Sequence, residues 1–393
     1  MKQSVRFYKE RGKIMKKNAL KSLAITAGII FLTALPTIGQ ASEFSFAVEP
    51  EKPATQINKK VTYFDFMVKP KEEQTLKVKL RNDTKEEVNV ESVISPTTTN
   101  LNGVVEYSPN NIKSDKTLKY NIKDLIKIPE TIKIPKQSEK VVELKVTPPA
   151  EKFDGVISGG ITFKDKAKPK DDKKDASGLS IKNEFSYVVA IVMHSNDTVV
   201  EPDLKLLDVY ADQVNVRNTI KIKFQNPKPV FLNQLNFKAD IREQGKDTVL
   251  YQTTKNNLQV APNTNFSPAI SLEGDKLKPG KYTATISALG VEDKDGKYPS
   301  EEKGKDGKVL RYRYKWDFTK DFEISSDVAD KLNAQDVTIK KGLNIWWIIG
   351  ICLLLLLLLL LIIYLIKRHL DKKKKEELDE RNRLENLLNE KDN

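Results

Sequence analysis

Apolar and polar side chains alternate at every second position through most of the chain. The segment TLKVKL places Leu76, Val78 and Leu80 on one face, and VVELKV and TIKI repeat the pattern further along. An alternation of this period is typical of a β-strand with one buried face. Turn-rich stretches such as RNDTKEE and TPPAEKFDG separate the strands at the spacing of a β-sandwich. The pattern therefore predicts an all-β fold for this part of the chain.

The strands fall into two groups that end alike. In the first group, GVISGGITF precedes a charged run at residues 164–175, which the apolar strand FSYVVAIVMH follows. In the second group, KYTATISALG precedes a charged run at residues 292–308, which VLRYRYKWDFTKDFEI follows. We interpret each charged run as the loop of a terminal hairpin, as in an immunoglobulin-like sandwich. Two tandem immunoglobulin-like β-sandwiches are therefore predicted, with the hinge between them near residues 195–203.

The stretch FDGVISGGITFK has the glycine spacing of a phosphate-binding loop. Gly155 and Gly160 are separated by four residues, but Ile161 stands where such a loop requires a lysine, and no helix start follows. The β-forming residues instead predict a strand, the penultimate one of the first sandwich. Glycines inside a strand fit a bend, or a close approach by another backbone or a ligand. Gly159 and Gly160 are therefore candidate contact residues, with a bulge within the sandwich as the alternative.

The N-terminal end of the chain has the features of a secretory signal. Residues 1–21 contain eight Lys and Arg side chains and one acid, and the short apolar run LAITAGIIFLTAL follows them. Small residues then lead up to Ala41, so we predict cleavage after Ala41. Translation starts at Met1 or at Met15, because either start leaves an adequate basic region. The protein is therefore expected to be exported.

A second apolar segment near the C-terminus is long enough to cross a membrane. Residues 345–366 carry no charge, and a helix of this length reaches about 33 Å. Trp346 and Trp347 stand where an aromatic belt is expected, and a basic cluster begins at Lys367. By the positive-inside rule, this arrangement predicts a single-pass protein of the cell membrane with its bulk outside and its tail in the cytoplasm.

The chain is thus expected to consist of six segments, the last of which contains the short amphipathic sequence EELDERNRLENLLNE. In order, they are a signal peptide (1–41), a first β-sandwich (42–197), a second β-sandwich (198–326), a juxtamembrane stalk (327–344), a transmembrane helix (345–366) and a cytoplasmic tail (367–393).

Charge and cysteine content narrow the class of protein. The formal net charge is +13, but residues 1–21 contribute +7 and residues 367–393 contribute +1, which leaves +5 for the remainder. That mild excess fits solubility or attraction to an anionic polymer and does not indicate nucleic-acid binding. The only cysteine, Cys352, lies in the apolar segment, so the exterior has no intramolecular disulfide. An exported protein with a cysteine-free exterior rich in Lys and Asn is typical of a Gram-positive bacterial surface.

Residues that could carry catalysis are scarce. His194 is the only histidine outside the tail, and Ser195 and Asp197 follow it closely. Neighbouring side chains at a strand end point apart, so they form no nucleophile–base relay, and we expect His194 to be solvated. One histidine and no exterior cysteine exclude a zinc site. We therefore expect no catalytic residue, no metal and no cofactor, and a glycosidase with paired carboxylates is the remaining enzymatic alternative.

Aromatic residues near the end of the second sandwich admit two interpretations. The segment YRYKWDF (residues 312–318) has an aromatic side chain at every second position, with charged residues between them. Either the aromatic side chains face the core, or they form an exposed row that stacks on sugars or on a peptide; the first is the commoner arrangement. In LKPGKYTA, Tyr282 is predicted to form a tyrosine-corner-like turn.

The chain contains five segments of interest, in this order: YFDFMVKP, FDGVISGGITF, PDLKLLDV, FQNPKPVFLNQLNF and APNTNFSPAISLEGDKLKPGKYTATI. Together they resemble motifs that occur in the same order in the WxL-interacting proteins of Gram-positive bacteria. The resemblance covers residues 44–324 and the signal-and-anchor layout. It implies a peptidoglycan-binding domain, then a host-binding domain, with a family boundary at about residues 165–178. It also implies partnership with secreted WxL proteins, which sit non-covalently on the wall. The charged runs depart from the family pattern, and no individual binding residue is carried over.

The expected function is that of a membrane-anchored scaffold or adhesin without enzymatic activity. Its expected partners are peptidoglycan, a WxL-domain surface protein and a host extracellular protein. On this interpretation, Gly159 and Gly160 contact either wall glycan or the second domain. A wall-modifying hydrolase and a surface receptor that signals through the short tail are the alternatives.

Overall fold

The computed structural model describes residues 45–166, 185–339 and 345–391. The predicted signal peptide, with its cleavage after Ala41, lies outside the described residues, as does most of the first charged run. The two sandwiches are all-β as predicted, apart from two short helices.

Twelve elements build the first sandwich. They are β1 (Ala47–Glu51), β2 (Phe64–Met67), β3 (Gln74–Asn82), β4 (Val88–Pro96), β5 (Thr98–Thr99), β6 (Val105–Glu106), α1 (Ile122–Leu125), β7 (Ile126–Lys127), β8 (Thr131–Ile134), β9 (Ser138–Val146), β10 (Ile157–Asp165) and β11 (Ser186–His194). One sheet has the order β1-β3-β9-β7 and the other β2-β11-β10-β4-β8. Leu80 and Leu144 from the first sheet meet Phe163 and Ile191 from the second in one buried core.

Strand β11 belongs to the first sandwich although it follows the charged run. It pairs antiparallel with β10 and, on its other side, parallel with β2. Val189, Ile191 and Met193 point from β11 into the first core. The pairing of β10 with β11 is the hairpin that the interpretation of the charged run expects. The domain division near residues 195–203 stays a prediction.

Ten elements build the second sandwich. They are β12 (Lys205–Val214), β13 (Arg217–Asn226), β14 (Leu232–Glu243), β15 (Val249–Val260), β16 (Thr264–Phe266), β17 (Ala269–Ser271), β18 (Gly280–Glu292), β19 (Tyr298–Lys303), β20 (Val309–Ile324) and α2 (Ser326–Gln335). One sheet has the order β12-β13-β16, with β17 also paired to β13, and the other β15-β14-β18-β20-β19. Phe224 and Phe237, at 5.3 Å between ring centroids, join the two sheets in the core.

The second charged run is not simply a loop, as the sequence had predicted. Residues 298–303 form the edge strand β19, which pairs with β20. Strand β20 is long enough to pair with β18 along most of its length and with β19 near its start. Pro299 and the charged residues after it are compatible with an edge strand, because an edge leaves backbone groups facing solvent.

The predicted stalk begins later than the sequence suggested. Helix α2 is capped by Ser325, whose side chain accepts a hydrogen bond from Val328 N. Its Ala329 is fully buried in the second core. The Asp336 carboxylate, 2% exposed, accepts a hydrogen bond from Asn218 N at 2.7 Å. The prediction of a stalk from residue 327 is therefore wrong for its first part, because an apolar helix face and a buried carboxylate attach this segment to the sandwich.

The tyrosine corner is present as predicted. The Tyr282 hydroxyl donates a hydrogen bond to Lys278 O at 2.8 Å, and its ring stacks on Phe322 with 5.5 Å between centroids. We expect Tyr282→Phe to lower the free energy of unfolding by about 1 kcal/mol, because one hydrogen bond is lost and packing is kept. Urea unfolding of this variant beside Tyr298→Phe, on the edge strand, measures the difference. Equal stability of the two variants would contradict a structural role for the hydroxyl.

The last helix, α3 (Ile345–Lys391), contains the uncharged run 345–366 and continues into the charged tail. By length and composition, this helix is able to cross a membrane. The amphipathic sequence of the tail is helical, because α3 continues through it, and no separate tail domain is formed among its described residues.

Candidate functional site

The two sandwiches meet at the stretch that resembled a phosphate loop. Gly155 has a backbone φ of +74°, and a Cβ added there would lie 2.1 Å from Pro229 O in the second sandwich. The next residue, Val156, donates its backbone N–H to the same oxygen at 2.8 Å. Glycine is required at this point because another backbone passes too closely for any side chain.

The candidate contact residues Gly159 and Gly160 are buried inside the first sandwich. A Cβ at Gly159 would lie 2.5 Å from both Ile122 Cγ2 and Ser95 O, and one at Gly160 would lie 2.4 Å from Tyr107 O. Close approach by another backbone does explain these glycines, but that backbone is Ser95 in β4 and Tyr107 shortly after β6, and neither belongs to the second sandwich. The expected direct contact with wall glycan or with the second domain does not fit their position, and Gly155 makes the contact with the second domain instead.

Residues 97–121, which we call the arm, extend from the first sandwich to the second. The arm contains the β5–β6 hairpin, which pairs with itself. Thr99 Oγ1 accepts a hydrogen bond from Ala261 N at 2.9 Å. Gly103 O accepts another from Gln259 N at 2.8 Å. The arm therefore adds a second set of contacts between the sandwiches, separate from the one at Gly155.

Asp115, in the part of the arm that follows the β5–β6 hairpin, attaches the arm to the second sandwich. Its carboxylate, 8% exposed, accepts hydrogen bonds from Gln225 Nε2 at 2.8 and 2.9 Å and from Asn265 Nδ2 at 2.7 Å. Thr117 donates to it from within the arm. Burial raises the pKa of Asp115, but the hydrogen bonds from Thr117, Asn265 and Gln225 together lower it further, so its pKa lies below the usual value.

Replacing Asp115 by Asn should weaken this attachment in a pH-dependent way. At pH 7 we expect the free energy of unfolding to fall by about 1.5–3 kcal/mol. Hydrogen bonds to a charged acceptor are lost, and the new amide faces two donors, Gln225 Nε2 and Asn265 Nδ2. A lowered folded-state pKa means that the stabilisation is complete above the unfolded pKa of about 3.9 and is lost as pH falls through the folded value. Melting temperatures from pH 7 down to pH 2 should therefore converge below about pH 4. Parallel curves for wild type and variant would contradict this role.

A cleft of about 410 Å³ opens between the two sandwiches beside these contacts. The arm forms one wall, the segment before β10 forms the floor, and proline-rich loops of the second sandwich form the other wall. The lining residues are Thr97, Thr117, Leu118, Lys119, Tyr120, Lys152, Phe153, Asp154, Val156, Ile157, Ser158, Pro227, Pro229, Pro262 and Asn263.

An aromatic pair with an adjacent cation lies on the first sandwich's side of the cleft. The rings of Tyr120 and Phe153 are 6.1 Å apart between centroids, and Lys119 Nζ lies 4.9 Å from the Tyr120 centroid. Both rings are partly buried against the first core. A hydrogen bond to Tyr120 is the largest of the effects that raise the pKa of Lys119. The Lys119 side chain therefore stays positively charged.

The residues after His194 hold this aromatic wall in place. Ser195 Oγ accepts a hydrogen bond from Phe153 N at 2.7 Å and donates one to Phe153 O at 2.6 Å. Asn196 Nδ2 donates to Phe153 O at 3.0 Å and to Asp154 Oδ1 at 2.9 Å. The Ser195 hydroxyl is thus engaged by a backbone and is not placed as a nucleophile. Its role is to position Phe153.

His194 is not the solvated residue that the sequence predicted. Its Nε2 lies 2.9 Å from Asp65 Oδ1, and the two side chains are 26% and 16% exposed. Asp65 lies on β2, which pairs with β11 in parallel, so the partner comes from a distant part of the sequence. Within residues 45–166, 185–339 and 345–391, no group of three or more His, Cys, Asp or Glu side chains could hold a metal ion.

The aromatic row of β20 faces inward, which confirms the first interpretation. Tyr312 is buried, and Trp316 and Phe318 pack against the second core. The charged residues between them, such as Arg313, are exposed. Tyr314 and Trp316 are only partly covered and stack on each other with 5.8 Å between centroids.

Comparisons with known proteins give two family matches. A model described as "WxL Interacting Protein, peptidoglycan binding domain" matches residues 46–165, and one described as "WxL Interacting Protein, host binding domain" matches residues 176–334. The first match ends with β10 and the second begins before β11, whereas β11 pairs with β10 in the first sandwich. No curated protein matches the chain with significance.

Among solved structures, the similarities are distant. A chaperone–tip adhesin complex of CFA/I fimbriae is 12% identical and covers 69% of this chain and 99% of its own, with a TM-score of 0.29. The E. coli chaperone DraB is 13% identical and covers 71% of this chain and 98% of its own, with a TM-score of 0.24. The Pseudomonas aeruginosa chaperone CupB2 is 11% identical and covers 66% of this chain and 97% of its own, with a TM-score of 0.24.

Proposed function

Because the chain belongs to the WxL Interacting Protein family, we propose that it is a membrane-anchored cell-surface scaffold that binds peptidoglycan, a secreted WxL-type protein and host molecules. The observation that carries this proposal is the order of parts. A domain of the peptidoglycan-binding kind is followed by one of the host-binding kind and then by an apolar helix able to cross a membrane.

In the proposed topology, the two sandwiches lie outside the membrane and the tail after residue 366 lies in the cytoplasm. The basic residues that follow the apolar run support this orientation. An anchor at the membrane places the sandwiches beneath and within the wall. Two weak contacts on one tethered molecule then strengthen each other, because the first raises the effective concentration for the second.

The proposed activity is binding without catalysis. The observation in its favour is that Ser195, the only hydroxyl beside the exterior histidine in sequence, is occupied by the backbone of Phe153. The described residues also offer no metal-binding cluster that could replace such a nucleophile. The second sandwich and the exposed sheet edges remain available for a protein partner in this proposal.

Sedimentation with purified wall tests the proposed function. The full chain, purified in detergent, is incubated with peptidoglycan sacculi prepared with and without their anionic wall polymers. We expect the chain in the pellet in both cases, and no release of soluble wall fragments into the supernatant. A chain that stays in the supernatant, or one that pellets only when anionic polymers are present, would refute peptidoglycan binding. Fragment release that a single carboxylate substitution abolishes would refute the absence of catalysis.

A further inference from the structure

We infer that the cleft between the two sandwiches is the site that takes a sugar–peptide segment of peptidoglycan. This inference rests on the proposed function and adds a location and a ligand class to it. The model described as a peptidoglycan binding domain matches residues 46–165, whereas the cleft needs both sandwiches. Its second wall is made by Pro227, Pro229 and Pro262, which lie in the other matched domain.

The size of the cleft fits a small segment of polymer. About 410 Å³ falls within the usual range for ligand sites, roughly 300–1,000 Å³. Lys119, Lys152 and Asp154 are exposed at its rim, so the site communicates with solvent. A site for one segment of a long strand must be open in this way, since the strand continues on both sides of the bound part.

The walls offer apolar surfaces for sugar rings. A pyranose ring has a face of C–H groups that packs against aromatic and proline rings while its hydroxyls remain at the edge. Tyr120 and Phe153 are tilted by 55° to each other, so they present two surfaces to one occupant. Aromatic side chains provide large, stiff contact areas at low entropic cost, which suits a weak polymer contact.

The polar groups at the rim complement the charges and hydroxyls of peptidoglycan. The stem peptides of peptidoglycan carry carboxylates, and Lys119 and Lys152 stand on the same side of the cleft as the aromatic pair. Asp154 is held by Asn196 and can accept hydrogen bonds from sugar hydroxyls or from a peptide ammonium group. The combination of stacking surface, two ammonium groups and one fixed carboxylate favours an anionic sugar–peptide over a purely apolar ligand.

The cleft is also held in one shape before any ligand arrives. Ser195 and Asn196 fix the backbone of Phe153 on one side. On the other side, Val156 N donates a hydrogen bond to Pro229 O at 2.8 Å, which attaches the wall formed by the second sandwich to the first. Preorganisation of this kind lowers the entropic penalty of binding. The contacts that join the two sandwiches therefore also shape the cleft.

Charge reversal at the rim tests the inference without disturbing the core. Lys119→Glu combined with Lys152→Glu changes two exposed side chains, so folding should be unaffected. We expect the full chain carrying both changes to bind a soluble disaccharide–peptide fragment of peptidoglycan at least tenfold more weakly than wild type, as measured by calorimetry. The matched control is Lys85→Glu with Lys136→Glu, in the exposed turns at the other end of the first sandwich, and it should bind within twofold of wild type.

An aromatic variant and sacculi complete the test. Tyr120→Ala should also lose fragment binding, and its melting curve shows whether it remains folded. If wild type pellets with sacculi while the rim variant and its control bind the fragment equally, the inference is overturned and the proposed function stands. If wild type binds neither sacculi nor fragment, both are overturned. Loss of a secreted protein partner by the rim variant, with fragment binding intact, would assign the cleft to that protein and overturn the inference as well.

Discussion

A chain that ends at residue 166 is expected not to fold, whereas one that ends at residue 197 should melt cooperatively. The shorter fragment lacks β11, which pairs with β10 on one side and with β2 on the other. Val189, Ile191 and Met193 of β11 are core residues, and burial of each of these side chains stabilises the fold by about 1.5–3 kcal/mol. Their loss is comparable to the whole stability of an ordinary domain, about 5–15 kcal/mol.

The comparison of these two fragments is informative because the family match for the first domain ends at residue 165. Circular dichroism and calorimetry of residues 45–166 and residues 45–197 measure the difference directly. The longer fragment also keeps Ser195 and Asn196, which hold Phe153. Equal cooperative melting of both fragments would show that β11 is dispensable, and the predicted division near residues 195–203 would then be wrong.

Gly155→Ala is expected to disrupt the joint between the sandwiches. The new Cβ would lie 2.1 Å from Pro229 O, and the backbone φ of +74° is unfavourable for alanine. We expect the free energy of unfolding to fall by about 2–5 kcal/mol. About 1 kcal/mol of this comes from the backbone angle, and the rest comes from the forced separation of the two backbones. The hydrogen bond from Val156 N should be lost with it.

Gly245→Ala is the matched control for this substitution. Gly245 has a similar φ of +79°, but nothing lies within 4 Å of an added Cβ. The free energy of unfolding of the Gly245→Ala variant should therefore fall by only about 1 kcal/mol, the contribution of the backbone angle. Calorimetry gives the stabilities, and small-angle scattering reports whether the two sandwiches keep their relative orientation. Equal effects of the two substitutions, with unchanged scattering, would mean that Gly155 does not hold the joint.

Local patterns were sufficient to predict most of the strands and the pairing of the terminal hairpin. The alternation in TLKVKL and VVELKV corresponds to the neighbouring strands β3 and β9, with Leu76 opposite Leu144. The turn chemistry around Tyr282 also predicted a tyrosine-corner-like turn, in which the hydroxyl donates a hydrogen bond to Lys278 O. These features depend on residues that are close in sequence or that repeat at a fixed period, which is why a single sequence reveals them.

Features that depend on distant residues were missed or misplaced. The glycines of GVISGGITF did indicate a close backbone, but no local pattern identifies that backbone as the arm at Tyr107. Asp115 stands in an ordinary polar stretch, and only the fold brings it to Gln225 and Asn265. The parallel pairing of β2 with β11 likewise creates the contact between His194 and Asp65. Helix α2 has one local signal, the N-cap Ser325, but its ten residues are mostly polar and its buried face depends on contacts with the second core.

The proposed site between the sandwiches also depends on residues that are distant in sequence. The stretch from Phe153 to Val156 supplies an aromatic wall, a carboxylate, a glycine for close approach and a backbone donor. Each of these has meaning only beside Pro229 and the other loops of the second sandwich. The glycine of this stretch that contacts the second sandwich is Gly155, and Gly159 and Gly160 are packed against the first domain's own residues.

Photo-crosslinking of a wall fragment is the measurement that tests the central claim most directly. A disaccharide–peptide fragment with a photoreactive group is bound to the full chain, irradiated, and mapped by mass spectrometry. Our account predicts crosslinked peptides from both sides of the cleft, containing Lys119 or Phe153 from the first sandwich and Pro229 or Asn263 from the second. Crosslinks confined to surfaces away from these residues, or to the first sandwich alone, would contradict a wall-binding site built by both domains.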